Sequence, residues 1–384
     1  MKIVHLCLGC FFPDGYSYQE NMLPKYHKKL GHDVSVVASL QTFDKNGNVS
    51  YMEKASEYRN EYNIPVHRLD YKKPLKIYRK LKRFIGTYAA IEKTNPDILF
   101  IHGCQFMDMD VVVRYLKKHP NVTVYVDNHA DFSNSAKNWM SFTFLHKILW
   151  KHCARIIEPF TKKFYGVLPA RVDFLKNVYG LPEEKIDLLV MGADDEKVEA
   201  ALKPEVRTEI REKYGIADDD FLIITGGKID NFKKQILYLM EAVNKLQNEK
   251  IKLIVFGSVI PELKEKVEGL VSHYTQYIGW VQSDQTDKYY AASDLVVFPG
   301  RHSVFWEQVA GLGKPMICKA WEGTMHVDLG GNVIFLEKDS ANEIYGIIKK
   351  LTENKEAYQE MKKVAEREGM KIFSYSDIAK RSIE

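Results

Sequence analysis

The sequence predicts an α/β protein with two domains, each built on a doubly wound parallel sheet. Residues 2–39 read as a buried strand, a helix that ends at Gly31 and a second strand, which is how such a sheet opens. The same alternation starts again at residues 221–225. A chain of 384 residues is also too long for one ordinary core. We therefore expect a domain boundary near Gly192.

The composition predicts a globular cytoplasmic protein. Hydrophobic residues make up 45% and charged residues 28% of the chain, which excludes a disordered or fibrous protein. No apolar run approaches the roughly 18 residues of a membrane span, and the N-terminus reads directly as a strand without a signal-peptide pattern. The five cysteines are scattered. Cys7 and Cys10 form a C-x-x-C, but Cys7 lies in the first strand and no second pair follows, so a structural role is favoured.

The net charge of +4 is unevenly distributed, because residues 72–83 hold seven basic residues and no acidic one. Ile77, Leu81, Phe84 and Ile85 recur there at helical spacing. A basic amphipathic helix can lie on an anionic membrane surface, and the alternative is a solvated helix face. No nucleic-acid-reading motif accompanies the charge, so we expect no nucleic-acid partner.

In the first half, polar side chains follow two predicted strands. His102 ends one strand, and His129 and Asp131 follow the next. Ligands of open parallel sheets bind beyond the carboxyl ends of the strands, so these residues are candidates for contact with a substrate. A structural role is the alternative for each histidine.

In the second half, Gly226 and Gly227 follow a predicted strand, and Lys228, Lys233 and Lys234 come shortly after them. Lysines at a strand end can hold a diphosphate as point charges. A departing diphosphate needs either a metal or fixed cations, and the lysines favour fixed cations. The acidic runs at 108–110 and 218–220 lie at a helix start and in a linker, so a metal role is not expected there.

Residues 294–317 predict a buried strand, a polar loop, a short helix with Ser303 as its N-cap, and another strand. Glu307 lies one turn inside this helix, where its carboxylate could accept hydrogen bonds from two neighbouring sugar hydroxyls. The alternative is that Glu307 only complements the helix dipole. A dinucleotide fingerprint G-x-G-x-x-G is absent from the sequence, which disfavours a dehydrogenase.

Motifs along nearly the whole chain resemble those of the retaining GT-B glycosyltransferases of glycosyltransferase family 4, and their order and spacing are more specific than any one of them. The matching segments are Phe12–Tyr16, Leu30–Val34, Asn95–Ile98, Asn128–His129, Tyr179–Ile186, Met191–Asp194, Gly227–Lys228 with the lysine pair, Ala291–Leu295, Glu307–Pro315 and Phe373–Ala379.

The resemblance implies two Rossmann-like domains that face each other across a cleft. Residues 1–192 would form the acceptor-side domain, residues 193–365 the nucleotide-sugar domain, and residues 366–384 a C-terminal helix that crosses back to the first domain. It also implies a metal-independent retaining transferase of the hexosyltransferase type, without a cofactor. Such an enzyme moves sugar from a nucleotide sugar to a glycan or lipid-linked acceptor during surface polysaccharide synthesis, on the inner face of the membrane if residues 72–83 bind lipid.

The resemblance also implies roles for single residues. Lys228 stands where the family has a phosphate-binding arginine, and Lys234 matches its phosphate lysine by the distance to Glu241, with Lys233 as the second choice. Glu307 should hold the ribose, and His129 should lie near the reacting sugar. The expected acceptor-side residues are His102 and Asp131. The other expected donor-binding residues are Gly15, Tyr16, Gly227, Gly257, Trp280, Val281, His302, Ser303 and Val304.

One departure from the family pattern concerns the donor sugar. The first glutamate of the family's pair should lie eight positions before Glu307, where this chain has Pro299. His302, Ser303 and backbone N–H groups could hold the sugar instead. The loss motivates two alternatives: a catalytically impaired nucleotide-binding module, and a nucleotide-sugar epimerase on the same fold.

Overall fold

The computed structural model describes residues 1–44, 49–135 and 141–384. The chain forms two compact units. Unit 1 comprises Met1–Met191 together with Ile378–Glu384, and unit 2 comprises Gly192–Asp377. Each unit is a layered α/β structure around its own parallel sheet, so the predicted fold class is confirmed.

Unit 1 contains ten strands among its described residues. They are β1 (Lys2–Cys7), β2 (Asp33–Ser39), β3 (Gln41–Phe43), β4 (Val49–Tyr51), β5 (Ser56–Arg59), β6 (Pro65–Leu69), β7 (Ile98–His102), β8 (Thr123–Asn128), β9 (Thr161–Gly166) and β10 (Ile186–Leu188). Eight of them form one sheet in the order β10-β9-β8-β7-β1-β2-β6-β5, in which only β5 is antiparallel. Strands β3 and β4 form a separate hairpin.

The helices of unit 1 cover both faces of this sheet and complete its core. They are α1 (Gln19–Lys29), α2 (Leu75–Leu81), α3 (Thr87–Thr94), α4 (Met109–Lys118), the π-helical segment Ser141–Trp150, α5 (Lys151–Ile157) and α6 (Pro169–Asn177), with 3-10 turns at Glu158–Phe160 and Glu183–Lys185. The central strands are buried on both faces and carry near-continuous apolar runs, as parallel strands do.

Unit 2 contains a six-stranded, fully parallel sheet in the order β13-β12-β11-β14-β15-β16. Its strands are β11 (Phe221–Gly226), β12 (Ile251–Phe256), β13 (Thr275–Tyr277), β14 (Leu295–Phe298), β15 (Met316–Lys319) and β16 (Val333–Leu336). Its helices are α7 (Asp195–Ala201), α8 (Pro204–Lys213), α9 (Ile236–Leu246), α10 (Pro261–Gly269), α11 (Thr286–Ala292), α12 (Phe305–Gly311), the 3-10 turn Met325–Val327, α13 (Ala341–Glu353) and α14 (Lys355–Phe373).

Helix α15 (Tyr375–Arg381) carries the chain back into unit 1. Within unit 1, the carbonyl oxygen of Ala379 lies 2.9 Å from His27 Nε2, and the hydroxyl of Tyr125 donates to the carbonyl of Ile383 at 2.8 Å. These contacts fix the last residues of the chain against α1 and β8. The segment that belongs to unit 1 is therefore Ile378–Glu384, which is shorter than the expected helix of residues 366–384.

The short apolar run at residues 154–158 also predicts a strand from the sequence, and this prediction is wrong. Helix α5 continues to Ile157, and the strand follows at Thr161–Gly166. Cys153, Ala154 and Ile157 are buried at helical spacing, so the short apolar run belongs to a helix face. The true strand contains two lysines and has a weaker apolar signal.

The basic amphipathic helix expected from residues 72–83 is also shorter than predicted. Helix α2 has only seven residues and ends at Lys82, which adopts a left-handed backbone conformation with φ of 52°. Phe84 is buried and bridges Tyr71, so it belongs to the core and not to an exposed apolar stripe. Leu75, Ile77 and other apolar side chains of the segment remain exposed.

Candidate functional site

Glycines bring the loops after β11 and β12 into direct backbone contact. A Cβ on Gly226 would lie 2.1 Å from the ring of Phe256, and a Cβ on Gly257 would lie 1.8 Å from the carbonyl oxygen of Gly227. Gly257 also has φ of 127°, a conformation that side chains rarely adopt. The predicted Gly227 loop therefore exists, and Gly257 is the residue that lets the neighbouring loop approach it.

Lys233 lies beside this loop. Its Nζ would be 3.8 Å from a Cβ on Gly227, and its Cα would be 3.1 Å from a Cβ on Gly300, which follows β14. Burial lowers the pKa of Lys233. The loops after β11 and β14 thus meet at Lys233, whose half-buried ammonium group lies beside Gly227, a suitable position for holding an anion.

Lys228 and Lys234 are both exposed, unlike Lys233. Burial opposes ionisation of Asp339, but the hydrogen bond from Gln235 at 3.2 Å, Lys319 and the charge of Lys234 together lower its pKa. Lys234 is therefore associated with the Asp339 side of its turn. The structure favours Lys233, the second choice from the sequence, as the lysine beside the glycine loop.

Ser303 is not the N-cap of α12. The helix begins at Phe305 with Val304 in the cap position, and Ser303 contributes its backbone carbonyl to the N–H of Trp306 at 2.9 Å. His302, Ser303 and Val304 are all half-buried in the preceding loop. Because this helix has only seven residues, its dipole is a weak basis for an anion site.

Glu307 is fully buried and is held by two histidines. His302 Nε2 and His326 Nε2 lie 2.8 and 2.9 Å from the same carboxylate oxygen, Oε1. The other oxygen, Oε2, has no hydrogen-bond partner among the described residues. A buried carboxylate oxygen without a partner is costly, so a donor from a ligand would be favoured at that position.

The charge of Glu307 depends on these histidines. Burial opposes its ionisation, but His302 and His326 more than offset that effect and hold its pKa at about 2. The carboxylate is therefore an anion at neutral pH, with one oxygen occupied by protein donors and one available. Glu307 and His302 were predicted from the sequence, whereas His326 was not, because no local pattern connects it to the helix.

The remaining expected donor-binding residues differ in exposure. Trp280 is 61% exposed, while Val281 is buried beside it. The N–H of Gly257 donates to the carbonyl of Gly279 at 2.7 Å, which connects this turn to the loop after β12. In unit 1, Gly15 has φ of 79° and donates its N–H to Glu61, and the Tyr16 ring stacks on Tyr18.

At the carboxyl edge of the unit 1 sheet, Asp127 lies between two histidines. Its Oδ2 is 2.7 Å from His102 Nδ1, and its Oδ1 is 3.3 Å from His129 Nε2. His129 Nε2 is also 3.7 Å from Glu20. Burial lowers the pKa of His129, but Glu20 and Asp127 more than compensate and raise it. His129 is a quarter exposed, so it is the member of this group that can contact a substrate.

His102 and Asp131, the two expected acceptor-side residues, are occupied within the protein. Both ring nitrogens of His102 already contact protein groups, Nδ1 with Asp127 and Nε2 with His5, so no nitrogen of His102 is left for an acceptor. Asp131 accepts hydrogen bonds from the backbone and hydroxyl of Ser133, and it pairs with Arg171 at 3.0 Å. These contacts shape the turn after β8 and leave His129 as the accessible group.

Asp127, His5 and His27 were not among the residues predicted from the sequence. Asp127 lies directly opposite His102 in the register of β7 and β8, and a polar residue at that strand end was the available signal. His5 lies inside the apolar strand β1, where a buried polar residue must find a partner. The identity of that partner depends on long-range packing, which the sequence does not give.

In the described ranges, two groups bring three metal-ligand atoms within 4.8 Å of one another: His102 with Asp127 and His129, and His302 with Glu307 and His326. In both groups the histidine nitrogens already contact the carboxylate, and the other nitrogen of His102 contacts His5. These contacts explain the two arrangements as ion pairs, which are hydrogen-bonded at His102, His302 and His326, while His129 Nε2 and Asp127 Oδ1 are close without a hydrogen bond. The expectation of a metal-independent protein stays a prediction.

Comparison with known proteins confirms the resemblance. Residues 220–354 match the family model of the glycosyl transferases group 1. A region of 160 residues is 26% identical to the uncharacterized glycosyltransferase MJ1607 of Methanocaldococcus jannaschii. The aligned region covers 39% of this chain and 40% of that protein. The chain spans about half the length, or less, of the curated relatives it matches.

Solved structures confirm the GT-B fold. Anabaena HepE in complex with UDP aligns with a TM-score of 0.68 at 17% identity, over 99% of this chain and 98% of that one. The UDP-GlcNAc 2-epimerase of Neisseria meningitidis, bound to UDP-GlcNAc, aligns with a TM-score of 0.66 at 14% identity, over 100% and 99%. Over the described residues, none of the helices combines the length and apolar character that crossing a membrane requires.

Removing one histidine from Glu307 should lower the stability of the protein at neutral pH and make that stability less sensitive to acid. The pKa of Glu307 is lowered in the folded state, so its contribution to stability is present above pH 4.5 and is lost as the pH falls towards 2. His326→Gln should raise the folded-state pKa of Glu307 towards 4.5, so the variant should be less stable than wild type at neutral pH and should lose less stability between pH 4.5 and 2. Urea unfolding from pH 3 to 7 measures the effect.

The matched control for this measurement is His273→Gln. His273 Nε2 pairs with Glu249 at 2.5 Å, but both side chains are largely exposed. Exposed pairs contribute little, so the control curve should follow the wild-type curve. Identical acid profiles for His326→Gln and wild type would contradict the role given to His326.

Proposed function

We propose that the protein is a retaining glycosyltransferase that moves a hexose from a nucleoside diphosphate sugar to a glycan or lipid-linked acceptor. The observation that carries this proposal is the match of residues 220–354 to the glycosyl transferases group 1, because that segment contains the glycine loop, Lys233 and Glu307. The UDP in a similar fold supports a nucleotide as the ligand. Synthesis of a surface polysaccharide or glycolipid is the proposed context.

In this proposal, unit 2 binds the nucleotide. The loop at Gly227 and the ammonium of Lys233 hold the diphosphate, and exposed Lys228 adds a second cation. Glu307 Oε2 accepts hydrogen bonds from the ribose hydroxyls, since Oε1 is already occupied. Trp280 offers an exposed aromatic face for the base.

The proposed chemistry requires stabilisation of the leaving diphosphate. As the bond to the sugar breaks, negative charge grows on the diphosphate, and fixed cations lower the barrier most if they meet that charge. Lys228 and Lys233 supply two such cations without a metal or another cofactor. In unit 1, His129 is the proposed contact of the transferred sugar, with Asp127 fixing its ring.

We also propose peripheral binding to an anionic membrane surface on the cytoplasmic side, through residues 72–85. Lys73, Lys76 and Lys80 are exposed there, beside the exposed side chains of Ile77 and Ile85. Cations next to exposed apolar side chains suit the boundary between headgroups and acyl chains.

The first experiment is a thermal-shift panel of nucleoside diphosphates and nucleotide sugars with EDTA present. A ligand that binds only the folded state raises the melting temperature. Turnover assays then separate the candidates. Transfer that requires an added acceptor supports the proposal, while conversion of the donor sugar without an acceptor identifies an epimerase. Binding without any turnover identifies a catalytically impaired module, and no binding contradicts the proposed function.

Lys233→Ala should weaken binding of the selected nucleoside diphosphate about tenfold, which corresponds to loss of about 1.4 kcal/mol. Lys234→Ala, which removes the same charge one residue later, should change the affinity less than about twofold. Isothermal titration calorimetry at fixed salt measures both. The reverse ranking would restore the assignment to Lys234 that the family spacing favours.

Replacing Lys73, Lys76 and Lys80 together by glutamine should reduce binding to vesicles that contain phosphatidylglycerol. The control replaces three exposed lysines of unit 2, Lys266, Lys350 and Lys355, and changes the net charge equally. Sedimentation of both variants with vesicles gives the comparison. Equal binding by the two would show that residues 72–85 are not the membrane contact.

A further inference from the structure

Three buried histidines form a continuous hydrogen-bonded chain behind Asp127. His102 Nδ1 lies 2.7 Å from Asp127 Oδ2, and His102 Nε2 lies 2.9 Å from His5 Nδ1. His5 Nε2 then lies 3.0 Å from His27 Nδ1, and His27 Nε2 lies 2.9 Å from the carbonyl oxygen of Ala379. All three rings are fully buried, and the ring of His5 stacks on both of the others.

The two ends of the chain fix how many protons it holds. The carbonyl of Ala379 can only accept, and the nearby Ser382 hydroxyl donates its proton to that carbonyl, so the proton between His27 Nε2 and the carbonyl is assigned to His27. The contact between His102 and Asp127 also contains one proton, and each of the two contacts between rings needs one, because two facing lone pairs would repel. Four contacts therefore require four protons, whereas three neutral imidazoles supply three. The chain needs one additional proton.

The additional proton is most stable on His102. Burial lowers the pKa of His102, but Asp127 beside it, with smaller contributions from Cys7 and Glu20, raises it to about 9. Burial lowers the pKa of His27 to about 3, with His32 and His102 adding to that effect against the Ala379 contact. Burial and the two neighbouring histidines lower the pKa of His5 well below its usual value. One charged ring between two neutral ones agrees with the proton count.

We propose that His5, His27 and His102 act together as positioning residues for His129 by storing one proton behind Asp127. The stored charge balances the buried carboxylate of Asp127, whose other oxygen faces His129 Nε2 at 3.3 Å. Asp127 then remains an anion that orients the accessible ring without having to take a proton from it. This role rests on the proposed function of His129, whereas the proton count does not.

The hydrogen-bonded chain of histidines also gives a role to the C-terminal residues Ala379 and Ser382, which contact His27. Ser382 Oγ lies 3.0 Å from His27 Nε2 and donates to the carbonyl of Ala379 at 2.8 Å. That carbonyl is the acceptor which forces a proton onto the far end of the chain. Without it, His27 Nε2 could be a lone pair, and three neutral rings would satisfy the remaining contacts.

Histidine-selective nitrogen-15 NMR on the full-length protein tests the proton count without requiring activity. At pH 7, four of the six ring nitrogens of His5, His27 and His102 should carry protons. His5→Phe keeps a stacked ring but removes the acceptor of His102 Nε2–H, so the pKa of His102 should fall and its second proton should be lost at a lower pH than in wild type. Three protons in the wild-type chain, or loss of the fourth between pH 6 and 8, would overturn the proposal.

The pKa of His129 tests the positioning role. In His5→Phe, Asp127 loses its compensating charge, so the pKa of His129 should rise, and the pH profile of turnover should shift upwards with it. His32→Gln is the control, because the centroid of the His32 ring lies 6.2 Å from that of His27 but His32 is not part of the hydrogen-bonded chain of histidines. An unchanged His129 pKa in a folded His5→Phe variant rejects the positioning role. If NMR shows four protons on His5, His27 and His102 but the protein has no turnover, only the proposed function is rejected.

Discussion

A fully buried carboxylate must be paired, and this constraint organises the edge of both sheets. In unit 1 the carboxylate is Asp127, between His102 and His129, and in unit 2 it is Glu307, between His302 and His326. Removing one partner of a buried pair typically costs about 3–5 kcal/mol, a large part of the stability of a domain. The side chains around each carboxylate are therefore fixed by the fold before any ligand binds.

The two carboxylates differ in what they leave available. Both histidines of Glu307 contact one oxygen, so its other oxygen has no hydrogen-bond partner among the residues that the structure describes. Asp127 divides its oxygens between two histidines, so the accessible group there is the ring of His129. The first arrangement suits recognition of hydroxyl donors, and the second suits control of a titrating group.

Much of the fold was predictable because its signals are local. The β1–α1–β2 opening, the second alternation from residue 221 and the polar residues after β7 and β8 all follow from short-range patterns. The errors have physical causes too. Residues 154–157 carry an apolar pattern that fits a helix as well as a strand, and Lys82 ends α2 through a backbone conformation that composition does not reveal.

The sequence predicted which strand ends carry the residues of the candidate site, but it did not predict which side chains contact each other there. His326 reaches Glu307 from 19 positions further along the chain, and His5 reaches His102 across 97 positions. The choice between Lys233 and Lys234 was also unresolved, because adjacent residues in a turn point in different directions. Spacing favoured Lys234, whereas the packing of Gly227 and Gly300 places Lys233 beside the glycine loop.

The basic segment of unit 1 has less free charge than its seven cationic residues suggest. Lys82 donates to the carbonyl of Gly9, Arg83 is paired with Asp110, and the guanidinium of Arg79 lies 4.2 Å from the Tyr51 ring. At about 1 kcal/mol for each exposed lysine near an anionic surface, the three exposed lysines would supply roughly 3 kcal/mol. That is about a hundredfold enrichment, so a molecule would visit the bilayer briefly and exchange with the solution rather than reside there.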